Sequence, residues 1–100
     1  MKVILKARNA GKTIELIKLS AKNGGYIICR SMEEASGIQK TAIKMGLSIP
    51  FPISWDEFIK KRYYAKGIKS FLIDNADDLL QELCKNIKLE AITLNGNDSN

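Results

Sequence analysis

Gly11, Lys12 and Thr13 are the first residues in this chain whose types and spacing suit a defined chemistry. A glycine lets the backbone approach an anion closely, a lysine ammonium reaches terminal phosphates, and a threonine hydroxyl helps hold magnesium. These are the closing residues of the phosphate-loop pattern G-x-x-x-x-G-K-[ST]. The match is incomplete, because Lys6 occupies the position where the first glycine of that pattern is usual. The candidate cradle is therefore Lys6, Ala7, Arg8, Asn9, Ala10, Gly11, Lys12 and Thr13. The plain alternative is a solvated Lys12 and a Thr13 that caps an ordinary helix.

The second candidate is Asp74, which ends the apolar run SFLID. Parallel sheets keep their ligand sites at the carboxyl ends of strands, and a carboxylate there suits magnesium shared with Thr13 and a phosphate. The plain alternative for Asp74 is an amino-terminal cap for the helix that follows. A GKT after one strand and an acid after a later one, with helices between, favours a joint phosphate and metal site.

The elements that must position these residues are legible as apolar runs and helical periods. Val3 to Leu5 suit a short buried strand, and TIELIKLSAKN repeats apolar residues at helical spacing through Ile14, Ile17 and Ala21. Asn23-Gly24-Gly25 stops that helix, since glycine accepts the left-handed conformation at a helix end. YIIC, residues 26–29, is a second strand. Ser31 and Glu34 have the spacing of a capping box, opening a helix with Ala35, Ile38, Ala42 and Met45 on one face. Pro50 and Pro52 hold LSIPFPI extended. Ser54 and Glu57 repeat the box for a helix through about Tyr64, followed by a turn around Gly67.

After SFLID comes a helix-like ADDLLQELCKN with Leu79, Leu80, Leu83 and Ile87 directed inward, and LEAITL is a final strand. Strands separated by helices need crossovers. The expectation is an α/β, three-layer fold with a small parallel sheet of about four strands flanked by helices. One domain spans residues 1–95, and 96–100 form a polar tail.

Composition narrows the chemistry. One hundred residues at 45% apolar content support one modest core. Sixteen Lys and Arg against eleven Asp and Glu, a net +5, favour anionic partners. The chain has no histidine, which removes the usual zinc ligand and the imidazole base of serine and cysteine hydrolases. Cys29 and Cys84 lie in apolar contexts without disulfide spacing, which fits a reducing cytoplasm. No run approaches the ~20 apolar residues of a membrane span, and MKVILKARNAGK is broken by charge too early for a secretory signal. The expectation is an intracellular, cytoplasmic protein.

With these residues quoted, the chain resembles a P-loop nucleoside triphosphatase of the additional-strand group, which includes helicases and clamp-loader-like ATPases. It is most similar to the very short P-loop proteins of phages and prophages of low-GC Gram-positive bacteria. The resemblance runs through strand-ARNAGKT-helix, YIICR, IPFPIS, FLIDNAD and AITLN, with only GKT and the apolar strand ending in Asp as specific motifs. It implies ATP as ligand with Mg2+ as cofactor, GKT as Walker A and Asp74 as Walker B. It also implies a last strand lying between the Asp74 strand and the first, with Thr93 or Asn95 as a sensor-like residue. Asn75 stands where hydrolysing members commonly carry Glu; asparagine orients a water but cannot accept its proton, so binding is better supported than turnover. Asp77 and Asp78 are the other carboxylates at hand, and Arg8 and Arg30 the arginines able to meet phosphate. The small sheet would leave lid or arginine-finger elements to another chain, through oligomerisation or a partner.

A competing feature is WDEFIKKRYYAKGIK, where Lys60, Lys61, Arg62, Lys66 and Lys69 stand among Trp55, Tyr63 and Tyr64. Cations with aromatic faces are what single-stranded nucleic acid binding uses. The plain account is an amphipathic helix with Trp55, Phe58 and Ile59 in the core. Three functions follow: a compact nucleotide-binding protein with weak ATPase activity, a nucleic-acid-binding accessory module with a vestigial P-loop, or a factor that docks on a phage or host replication or packaging protein.

Overall fold

The computed structural model describes residues 1–6, 11–63 and 67–96. Its hub is a four-residue strand, β1 (Tyr26–Cys29), in which Ile27, Ile28 and Cys29 are all fully buried. A continuous apolar run can be buried on both faces only if helices cover both, and they do. The element order is α1 (Lys12–Asn23), β1, α2 (Met32–Lys44), β2 (Ile53–Ser54), α3 (Trp55–Ile59), β3 (Phe71–Ile73) and α4 (Ala76–Leu83).

All strand pairs are parallel and the sheet order is β2-β1-β3. Ile28 pairs with Ile53 on one side and with Ile73 on the other. Alternation along β1 then divides the core. Ile27 and Cys29 join Leu16, Ile17, Ala35, Ile38, Ala42 and Ile49, from α1, α2 and the segment after α2. Ile28 joins Ile53, Trp55 and Leu79 on the opposite face, under α3 and α4. Each such fully buried isoleucine contributes roughly 1.5–3 kcal/mol.

The helix ends follow the capping residues. Gly24, at φ 77, closes α1 by donating its amide to the Ser20 carbonyl at 2.7 Å. Ser31 accepts the Glu34 amide at 3.1 Å, and Ser54 with Glu57 completes a full capping box. The box at Ser31 is only half formed, because the Glu34 carboxylate lies toward the Arg30 amide instead.

Several expectations are corrected. Among the described residues the sheet has three strands, where about four were expected. Val3–Leu5 and residues 91–94 form no strand, while the proline segment supplies β2. Three apolar residues hedged by Lys2 and Lys6 make few ladder bonds, and only Ile4 packs against the core. Residues 90–96 are wholly exposed. The outer edge of β3 therefore has no neighbour among the described residues, which leaves Phe71 and Ile73 each 38% exposed.

α4 is shorter than its apolar period and buries only Leu79, with Leu80, Leu83 and Ile87 exposed, because among the described residues no element packs over its outer face. α3 ends at Ile59 rather than near Tyr64, and Ile59 is exposed. Lys61 turns left-handed at φ 56 just beyond it. Among the described residues no helix is long and apolar enough to cross a membrane.

Candidate functional site

Asp74 sits one residue past β3, and its amide extends the ladder by donating to the Ile28 carbonyl at 2.9 Å. This backbone anchor pins the residue at the carboxyl edge of the sheet, where its side chain is only 4% exposed. It does not cap α4. The cap position belongs to Asn75, left-handed at φ 54, with no side-chain capping bond, and the Asn75 carbonyl accepts the amides of Asp78 and Leu79. The plain reading of Asp74 as a helix cap is thereby removed.

α1 presents its first turn to the same place. Gly11 occupies the N-cap at φ 82, a backbone conformation that glycine alone adopts at little cost. Its carbonyl takes the Glu15 amide at 3.1 Å, and no side chain caps the helix. Thr13 is thus inside the first turn and is not a cap. Its Oγ1 donates to Asp74 Oδ2 at 3.1 Å. The amides of this first turn have no intrahelical acceptor and carry the positive end of the helix dipole.

The electrostatics at Asp74 are those of a carboxylate short of positive charge. Burial, first, pushes its pKa above the ordinary 3.8; the Thr13 hydroxyl offsets part of this, the charges of Glu34 and Asp78 add to it, and the Lys12 ammonium opposes it. Lys12 therefore acts on Asp74 from the same end of the sheet. Glu34 was not among the residues expected at the site. Its only signal was the capping position, and the fold places its charge near both Asp74 and Cys29.

The remaining predicted residues fall as follows. Lys6 pairs with Glu15 in the first turn of α1 and holds that carboxyl below its ordinary range. It is thus engaged by a helix side chain. Ala7, Arg8, Asn9 and Ala10 lie outside the described residues, as does Lys66. Arg30 donates to Asp78 at 3.2 Å and lies 5.2 Å from the centre of the Trp55 ring. Asp78 is therefore occupied by an arginine, and Asp77 is exposed.

Thr93 and Asn95 are exposed in the strandless segment, and no hydrogen bond among the described residues joins either to Thr13 or Asp74. In the basic segment, Lys60 pairs with Asp56 at 3.0 Å. Lys61, Arg62 and Lys69 are exposed. Trp55, expected as a face for bases or as core, is 8% exposed and belongs to the core.

As a metal donor set, Thr13 and Asp74 offer one hydroxyl and one carboxylate. Among the described residues, no cluster of three or more Cys, Asp or Glu could hold an ion unaided. Magnesium commonly takes one or two protein oxygens, with waters and phosphate oxygens completing its shell. The pair fits a cation that arrives with a phosphate ligand, and does not fit a resident structural metal. No protein-family model, curated protein or solved structure matches this chain.

Proposed function

We propose that this chain is a small P-loop-type nucleotide-binding protein that takes ATP together with Mg2+ at the carboxyl edge of its sheet. The observation that carries the reading is the Thr13–Asp74 hydrogen bond, which joins the GKT turn to the buried acid at the end of β3. In this role Gly11 admits the phosphate to the first turn of α1, where free amides and the helix dipole favour an anion. Lys12 neutralises the terminal phosphates. Thr13 Oγ1 and the Asp74 carboxylate hold the cation, which supplies charge neutralisation of the phosphates when bound.

A buried carboxylate held above its ordinary pKa is also a reason for the cation to bind, since the ion stabilises the charged form that burial disfavours. Asn75, half-buried at the start of α4, has no basic lone pair for a proton. The reading is therefore nucleotide binding with at most slow hydrolysis, in the cytoplasmic setting of a phage or prophage protein that works with a partner chain. Support comes from the parallel α/β arrangement with both candidate motifs at one sheet edge.

The test is calorimetric titration of the protein with ATP and magnesium, repeated on Lys12→Ala. Magnesium-dependent heat that vanishes in the variant is the expected result. Absence of heat from wild-type protein at high micromolar concentration overturns the reading.

A further inference from the structure

A concave surface elsewhere on the molecule shares no residue with the Thr13–Asp74 site. It is a groove of about 310 Å³ walled by Tyr26 from β1, Met32 from α2, Phe51 and Pro52 from the proline segment, and Tyr63 beyond α3. Phe51 is 45% exposed and Met32 51%. A phenylalanine ring and a methionine side chain are ordinarily covered. Tyr63 is braced from behind, its ring meeting Phe71 edge-on at a centroid distance of 5.8 Å, while Phe71 meets Phe58 at 5.2 Å. The groove is thus aromatic, open and supported by a packed second row.

Basic residues adjoin its walls along the chain. Lys61 and Arg62 directly precede the wall residue Tyr63, and the left-handed turn at Lys61 brings the Arg62 amide to the carbonyl of Glu57, another wall residue, at 2.8 Å. Lys69 precedes Ser70, whose carbonyl accepts the amide of the wall residue Tyr26 at 3.1 Å. Among the described residues no ion pair holds Lys61, Arg62 or Lys69. The one wall carboxylate, Glu57, is occupied by the Ser54 amide and hydroxyl, both donating at 3.1 Å. A polyanion with flat apolar faces is complementary to this arrangement. A duplex hides its base faces and a plain acidic peptide has none.

We propose that this groove binds single-stranded nucleic acid, with bases against Phe51, Tyr26 and Tyr63 and the backbone phosphates on Lys61, Arg62 and Lys69. The occupant differs from the one expected of the basic segment by itself. Trp55 is in the core and takes no base, and Lys60 is engaged by Asp56. The stacking surface comes instead from Phe51 and Tyr26, residues remote from the basic run in sequence.

The test is fluorescence anisotropy of the full chain with labelled oligothymidylate and oligouridylate of roughly 15 nucleotides. Expected is saturable binding whose logarithmic salt slope is about −2, as three phosphate contacts on a single strand give. The tighter of the two oligomers identifies DNA or RNA as the source. Phe51→Ala, at an exposed position that leaves the circular dichroism spectrum unchanged, weakens binding about tenfold and keeps the salt slope. Lys61→Gln combined with Lys69→Gln weakens binding and flattens the slope. Equal affinity for a duplex, displacement by oligoglutamate as effective as by oligothymidylate, full affinity in Phe51→Ala, or no binding at tens of micromolar (~50 μM) would each overturn the assignment.

Discussion

Thr13 and Asp74 lie 61 positions apart, and the hydroxyl of one donates to the buried carboxylate of the other at 3.1 Å. The bond ties the first turn of α1 to the end of β3, elements separated along the chain by β1, α2, β2 and α3. It makes the site residue Asp74 a partner of the fold as well as a candidate ligand.

Removing the donor should therefore cost stability even without ligand. Thr13→Val keeps the side-chain shape and leaves the Asp74 carboxylate buried without its hydrogen bond, a loss of about 1–3 kcal/mol. Urea unfolding monitored by Trp55 fluorescence measures it. An unchanged midpoint would mean that the bond contributes nothing to the folded state.

The pH dependence of Asp74 has a definite sign. Its folded pKa is raised, chiefly by burial, so in the window from the ordinary 3.8 upward the native state holds a proton that the unfolded state has released. Stability contributed by this group is present below that window and is lost as pH rises through it. Asp74→Asn removes the titration. The difference in unfolding free energy between variant and wild type should grow in the variant's favour as pH rises above the ordinary 3.8 and level off once the folded-state carboxyl has ionised, while magnesium-dependent ATP binding disappears. A flat difference across that range would refute the sign.

Ile28 and Ile73 are register partners with opposite fates, one fully buried and the other 38% exposed on the open edge of β3. Ile28→Ala should cost about 2–5 kcal/mol. Ile73→Ala should cost clearly less, since part of its surface is already in water. Thermal melts of the two variants decide the matter, and equal losses would show that the outer side of β3 is covered in solution.

The two thiols should separate cleanly. Cys29 is fully buried, and burial, first, with the charge of Glu34 pushes its thiol up to about 11. Cys84 is partly accessible. Under native conditions at pH 8, a thiol reagent should label Cys84 promptly and Cys29 only after denaturant is added. Mass mapping of the labelled peptides reads the result; prompt labelling of Cys29 would contradict the buried central strand.

Gly11 carries a conformational prediction. Among the described residues a methyl group there meets no atom within 4 Å beyond its chain neighbours, so the cost of Gly11→Ala comes from φ 82. The expected loss is about 1–2 kcal/mol, read as a lowered urea midpoint at constant slope. A neutral result would indicate that the α1 N-cap relaxes to another backbone region.

Local features of this chain are written in its sequence because local rules produce them. Ser31 and Ser54 open helices, Gly24 closes one, YIIC is a buried strand, and the apolar run before Asp74 is a strand with an acid at its end. Each depends on residues within a few positions of one another, so hydroxyl, glycine and apolar spacing suffice to read them. Strand pairing is different, since a ladder needs a partner that sequence does not specify. Val3–Leu5 and residues 91–94 look like strands and pair with nothing described, whereas Ile53 and Ser54, behind two prolines, are held against β1. The helical period that pointed Leu83 and Ile87 inward could not register that no described element covers that side of α4. Only the tertiary structure decided that Asp74 is buried under Thr13 with Glu34 and Asp78 near it, that Trp55 is core, and that Phe51 and Tyr26 converge with Tyr63 on one groove. Burial and charge proximity are properties of distant segments brought together, and hydrophobic packing around β1 is the force that brings them.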